Sequence, residues 1–127
     1  YLTPNQNEAQ LLAKCEITDE RSIHKALQRI KKVSDAVCLI TMGEDGVFFL
    51  SGSELSHVPG YEVESVDSVA AGDAFAGGFA VALSEGKSLP IAIKRGCASG
   101  ALATTKLGAQ AAMPFRREVD QLFNSVH

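Results

Sequence analysis

Asp73 follows directly on Ala70-Ala71-Gly72, at the point where a short apolar stretch ending at Val66-Asp67 gives way to an alanine- and glycine-rich run. A strand running into a helix here would present unpaired N–H groups and the positive end of the helix dipole, both of which favour phosphate. Ala70, Ala71 and Gly72 carry almost no side chain, so an anion can approach the N–H groups of Ala71, Gly72 and Asp73. The Asp73 carboxylate would then stand beside that anion, placed to take a proton from an attacking hydroxyl. Phosphoryl transfer asks little more of a protein than positioning and charge stabilisation. The same residues also suit a helix with a small packing face, Ala-Ala-Gly and then Ala76-Gly77-Gly78, with Asp73 as its cap. Residue chemistry alone leaves these two readings even.

The elements that must position this segment can be read from periodicity. Asn5 with Glu8 three residues on is a capping pattern, and it predicts a short helix through Leu11-Leu12. Ile23, Ala26, Leu27, Ile30 and Val33 mark one face of a longer helix. Ala36 to Thr41 is a continuous apolar run, as in a strand buried on both faces. Gly43 to Gly46 turns the chain into Val47–Leu50, and Ser51-Gly52-Ser53 turns it again into Leu55–Val58, a hairpin. Tyr61–Val66 reads as a further strand and Ala71–Leu83 as a helix. Ser88-Leu89-Pro90 opens another helix running to about Lys106, which Gly108 ends. Pro114-Phe115 precedes a last short helix with Val119, Leu122 and Phe123. Strands and helices alternate, which predicts an α/β class. Tyr1-Leu2-Thr3 reads as the end of a strand already under way, so the chain is expected to be a piece of a longer one.

Composition narrows the function classes. A length of 127 residues suits one compact domain. Hydrophobic content of 46% with 21% charged residues is that of an ordinary soluble domain. A net charge of −3 supplies no general field for nucleic acid or an anionic membrane, and the basic pairs Lys31-Lys32, Lys94-Arg95 and Arg116-Arg117 read as solvated helix faces. No apolar run approaches the roughly 20 residues of a membrane span. Cys15, Cys38 and Cys97 are too far apart for a zinc site or a disulfide framework, and His24, His57 and His127 share no ligand spacing. A reducing cytoplasm is therefore the expected compartment. Gly86-Lys87-Ser88 mimics the end of a G-x-x-x-x-G-K-S/T phosphate loop, but Val81 stands where the first glycine belongs, and a helix-to-helix turn is expected instead.

Four segments, in order, carry a resemblance. Asp67-Ser68-Val69-Ala70-Ala71-Gly72-Asp73-Ala74-Phe75 resembles the D-T-x-G/A-A-G-D-x-F signature of the ribokinase (PfkB) family of carbohydrate kinases. Thr3-Pro4-Asn5-Gln6-Asn7-Glu8 resembles that family's T-P-N-x-x-E motif. Thr41-Met42-Gly43-Glu44-Asp45-Gly46 resembles its T-x-G-x-x-G loop, and Lys106-Leu107-Gly108-Ala109-Gln110 its K/R-x-G-A-Q segment.

The resemblance implies a three-layer αβα ribokinase-like fold, of which residues 1–127 form the C-terminal, ATP-binding and catalytic part. The sugar-binding half and its β lid, through which a homodimer can form, would lie outside this sequence. It implies ATP-dependent phosphorylation of a sugar hydroxyl, with ribose as first guess and fructose, 2-keto-3-deoxygluconate or a nucleoside as alternatives. Asp73 corresponds to the catalytic base, which also contacts the sugar, and Ala71, Gly72 and Asp73 to the anion hole. Asn5, Thr41, Met42, Gly43, Glu44, Asp45, Gly46 and Cys97 correspond to ATP-binding positions, and Glu8 to a magnesium-associated glutamate. Asp67, Val69, Ala103, Lys106, Gly108 and Ala112 fall where family members hold a monovalent cation, K+, largely through backbone oxygens. Ala76, Cys97 and Ala112 depart from residues frequent there, respectively Asn, His or Asn, and Ser. A nucleotide-binding module without catalysis is the rival reading, favoured for a chain lacking the sugar-binding half.

Overall fold

Helix α1 (Gln6–Ala13) starts where Asn5 can cap it: the Glu8 N–H donates to Asn5 Oδ1 at 2.8 Å, and the Asn5 N–H donates to Glu8 Oε1 at 3.0 Å. Such a cap contributes about 1 kcal/mol. The computed structural model describes residues 1–61, 71–103 and 122–123. Lys14 ends α1 in the left-handed conformation, at φ 55°, and Arg29 Nη1 donates to the carbonyls of Ala13 and Lys14 that the helix leaves unpaired. Gln6 and Gln10 bind the carbonyl and N–H of Ile17, which fixes the loop into the second helix.

Helix α2 (Glu20–Val33) begins in a second capping box, Asp19 with Ser22, and carries Lys31 and Lys32 at its negative end. The Ser22 N–H at its side chain, aided by the Ser22 hydroxyl, holds the Asp19 carboxyl below its usual range. Ile23, Ala26, Leu27 and Ile30 are buried as their spacing requires, but Val33 is 80% exposed. The buried face of α2 thus ends at Ile30, one turn before the helix ends at Val33.

The run Ala36 to Thr41 is shorter as a strand than its composition suggests. Only Ile40–Thr41 (β1) forms a ladder, antiparallel to β2 (Val47–Ser51), with Ile40 opposite Phe48 and Thr41 opposite Val47. On its other side it meets Leu2 and Asn5 in isolated parallel bridges, through Leu39 N–H to Leu2 O and Thr41 N–H to Pro4 O. Pro4 has no N–H to return, so that ladder cannot run continuously. Burial is likewise partial: Cys38, Leu39 and Ile40 are buried, whereas Val37 is 42% exposed.

Gly52, at φ 64°, and Ser53 turn β2 into β3 (Glu54–Val58), giving the sheet order β1-β2-β3. Phe48 and His57 stack across this hairpin with ring centroids 4.1 Å apart. The hairpin tip is tied to α2, since Lys31 Nζ donates to Gly52 O and His24 Nε2 lies 2.9 Å from Ser53 O. Ala9, Ala13, Ile17, Ile23, Leu27, Ile30, Ile40 and Phe48 belong to the core of this first unit, which comprises residues 1–42 and 46–57.

The second unit takes Gly43–Asp45 together with the chain from Val58 onward. Its described helices are α3 (Ala71–Ser84) and α4 (Leu89–Ala103), and Leu122 and Phe123 are helical as well. Gly86, at φ 79°, closes α3: its N–H donates to Leu83 O, and the Lys87 N–H donates to Ala82 O. The Gly86-Lys87-Ser88 sequence is thus a helix terminus followed by the start of α4, whose Ala92 N–H reaches Ser88 O.

Helices α3 and α4 pack antiparallel at close range through small residues. A Cβ on Gly96 would sit 2.8 Å from the Phe75 ring, and one on Gly100 would sit 3.1 Å from Ala71 O. One on Gly78 would collide with the Ser99 side chain and approach Arg95 O. Ala71, Phe75 and Gly78 lie on one face of α3 at helical spacing, and Gly96, Ser99 and Gly100 receive them. The other expected strand, Tyr61–Val66, and the chain from 104 to 121 lie outside the described residues, apart from Tyr61 itself.

Candidate active site

The small-residue packing of α3 on α4 has a consequence at the start of α3. The described part of α3 begins at Ala71 and has Asp73 in its first turn, and the leading N–H groups of a helix are the ones without intrahelical acceptors. The Ala71 carbonyl rests against Gly100, which ties this turn to α4. Gly72 and Asp73 are exposed, and a Cβ on Gly72 would meet nothing within 4 Å. Space therefore lies open beside Gly72. Asp73 is the third residue of α3, inside the helix rather than its cap, and the acidic residue of its first turn. Ala103, at the far end of α4, packs with Ala74, the neighbour of Asp73. Ala103 is the one monovalent-cation candidate among the described residues. Asp67, Val69, Lys106, Gly108 and Ala112, the other cation candidates, lie outside the described residues.

Thr41, Met42 and Gly46 belong to the first unit. The Met42 N–H donates to Gly46 O at 2.8 Å, closing the neck of the turn. Asn5 bridges to Thr41 in the same unit, so two candidate ATP-binding positions are brought side by side. Asn5 Oδ1 and Glu8 Oε1 are both engaged in the α1 cap, so any further contact by these residues falls to their other polar atoms. The two glycines of the turn have a backbone reason: Gly43 has φ 57° and Gly46 φ 91°, the region where side chains are disfavoured.

Gly43, Glu44 and Asp45 form a 3-10 turn in the second unit, all three exposed. Gly60 lies flush against this turn, since a Cβ there would stand 2.5 Å from Glu44 O and 3.2 Å from Gly43 O. The next residue, Tyr61, is buried, and its phenol senses Cys97 and Arg95 of α4. Burial raises the Tyr61 pKa, with the Cys97 thiol adding to the rise and the Arg95 guanidinium opposing it. Sequence reading placed Tyr61 only as the start of a strand; a buried aromatic after Pro59-Gly60 was the available signal.

Cys97 is 8% exposed, and burial pushes its thiol up to about 12; burial likewise raises Cys38 to about 11. Neither is a nucleophile at neutral pH. A thiol whose folded pKa is raised contributes its stability at low pH and loses it as pH climbs through the folded value. Stability is thus expected to decline between about pH 9 and 12, with a smaller decline in Cys97→Ala; urea midpoints across that range would check it.

Among the described residues no group of three or more His, Cys, Asp or Glu side chains is placed to hold a metal ion, and no helix is long and apolar enough to cross a membrane.

Comparison with known proteins adds a frame to this geometry. The family described as pfkB family carbohydrate kinase matches residues 1–116. Ribokinase of Haemophilus influenzae is 40% identical over 117 residues, which cover 92% of this chain and 38% of that protein. The crystal structure of ribokinase from Thermotoga maritima superposes with a TM-score of 0.88 at 38% identity, over 98% of this chain and 42% of its own. Arabidopsis thaliana ribokinase complexed with ribose and ATP gives a TM-score of 0.88 at 29% identity, over 96% of this chain and 40% of its own. The chain thus has the α/β ribokinase fold in part, and spans about two fifths of the length of these relatives.

Proposed function

This chain belongs to the pfkB family of carbohydrate kinases, and from that premise we propose that it is the ATP-binding and catalytic-base part of a kinase acting on a sugar hydroxyl. The observation that carries the proposal is the open first turn of α3, where three amide groups and one carboxylate share a helix N-terminus with no side chain over Gly72. An anion held there would be the transferring phosphoryl group. The sugar hydroxyl attacks γ-phosphorus, the bond to the β–γ bridging oxygen breaks, ADP leaves, and the hydroxyl proton passes to Asp73. Asn5, Thr41 to Gly46 and Cys97 are assigned to nucleotide contact. Ribose is the first substrate to test, supported by the Arabidopsis relative solved with ribose and ATP.

Magnesium bound as MgATP would bridge phosphate oxygens and neutralise charge as it develops. It asks for no closed protein cage, because Mg2+ keeps several waters and takes one or two carboxylates. Exposed Glu8, with Oε2 beyond the capping bond, fits that modest requirement. The Ala103 carbonyl fits the oxygen-donor set of K+. Cytoplasmic residence and pairing into a homodimer through a lid complete the reading; nucleic acid and membrane have no part in it.

Taken alone, the chain is expected to bind nucleotide without phosphorylating sugar, because apart from Asp73 none of its described residues is assigned to contact a sugar. Calorimetry with ATP tests the site directly, since the anion assigned to it is the γ-phosphoryl group. Wild type should bind, and Gly72→Val should bind at least about tenfold more weakly, a loss of about 1.4 kcal/mol. Valine is no worse than glycine within a helix, and open space surrounds the position, so helix content should be unchanged. Equal affinity in the two proteins would remove the first turn of α3 from the site.

A further inference from the structure

Gly43, Gly46, Gly52 and Gly86 are glycines by conformation, each with a positive φ. A Cβ on Gly43, Gly52 or Gly86 would meet nothing within 4 Å. Gly60 is the reverse case. Its φ lies outside the left-handed region, so its backbone would tolerate a side chain, but there is no room for one. The nearest atoms to a Cβ there are Glu44 O at 2.5 Å, Glu44 C at 3.0 Å and Gly43 O at 3.2 Å. All three are main-chain atoms, which no rotamer change can move aside. A side chain at position 60 therefore forces one of the two backbones to shift. Val58 and Tyr61, which flank Gly60 in the same unit, are buried, at 6% and 8% exposure. Gly43, Glu44 and Asp45 are all exposed, so the turn is the side that yields.

We infer that Gly60 is a positioning residue for nucleotide binding: the backbone of the Gly43–Asp45 turn rests on it, and only the lack of a side chain there lets the turn stand where it meets the nucleotide. The nucleotide half of this inference rests on the function proposed above; the support half rests on the contact distances alone. Gly60 touches no reacting atom. Its effect should therefore fall on nucleotide affinity and spare the proton transfer assigned to Asp73.

The test compares wild type with Gly60→Ala. In the 127-residue chain, the NMR shifts of the Gly43, Glu44 and Asp45 amides should change while those of α2 keep their wild-type values. Calorimetry should show ATP bound about tenfold more weakly. In an intact kinase carrying this sequence, KM for ATP should rise about tenfold with kcat within roughly twofold of wild type, the pattern of lost binding rather than lost catalysis. A merely structural role would reduce the folded fraction and so lower kcat while leaving KM unchanged, which makes the split decisive. Unchanged shifts at the turn overturn the inference, and so does a loss of kcat without a rise in KM. A variant that fails to fold overturns it as well, because the exposed turn was expected to give way. A displaced turn with ATP affinity within twofold of wild type overturns the nucleotide half. Should wild type bind no ATP, the nucleotide reading itself fails and carries that half with it, while the amide shifts still decide the support.

Discussion

Replacing Asp73 by asparagine, in an intact kinase carrying this sequence, is expected to lower turnover by about 10²–10⁴ and to leave ATP affinity close to wild type. The asymmetry follows from which groups do what at the start of α3. Nucleotide phosphate is assigned to the backbone N–H groups of Ala71, Gly72 and Asp73, and Asp73→Asn keeps all three. The side chain keeps its size and its place as the third residue of the helix. What disappears is the only proton acceptor of that turn. An anionic side chain also repels phosphate slightly, so nucleotide affinity should hold or rise by a small factor. Single-turnover rates and ATP dissociation constants for both proteins decide the matter. Near-normal turnover would show that the attacking hydroxyl gives its proton elsewhere, and parallel losses in turnover and ATP binding would show that Asp73 holds the nucleotide rather than the proton.

Much of this site was legible because its signals are local. Asn5 and Glu8 predict a capped helix from a three-residue spacing, and the two hydrogen bonds of the box are present. Gly43, Gly46, Gly52 and Gly86 mark turns because each adopts a positive φ. Helix α3 ends at Ser84 and α4 starts at Leu89, each within a residue of the expected limit, because Gly86 and Pro90 are local signals. The misreadings concern partners that lie far along the chain. The apolar run at Ala36 to Thr41 advertises burial but not what it pairs with, and the proline in the neighbouring segment interrupts the parallel ladder. Val33 continues an apolar stripe that its surroundings do not cover. Tyr61 is buried, and its phenol feels Cys97 and Arg95, more than thirty residues on, which no local pattern announces. The same holds for Gly96 and Gly100: as sequence they are helix-weakening residues, and only the neighbouring helix explains them.

Those two glycines carry the largest stability effect expected in the molecule. A Cβ on Gly96 already stands 2.8 Å from two Phe75 ring atoms and 3.0 Å from the Phe75 carbonyl oxygen, closer than unstrained atoms approach. Leucine at that position cannot be absorbed by a rotamer change, because Phe75 is itself buried and stacked on Phe79, ring centroids 5.9 Å apart. The helices have to separate. Gly96→Leu is therefore expected to cost about 2–3 kcal/mol, the upper range for overpacking a filled core, and to lower the urea midpoint by about 1 M or more. Gly77 supplies the control: it lies on α3 with nothing within 4 Å, so Gly77→Ala should be neutral or stabilise by about 0.5–1 kcal/mol through helix propensity. Gly100→Leu adds a functional arm, because a side chain there presses on the Ala71 carbonyl, 3.1 Å from its Cβ, and so on the turn that offers its N–H groups to phosphate. It should weaken ATP binding by more than its cost in stability alone would, whereas Gly96→Leu acts one helical turn away from those groups. If both leucine variants melt like wild type, α3 and α4 do not pack through their glycines. If Gly100→Leu is destabilised but binds ATP normally, the first turn of α3 is only a packing surface.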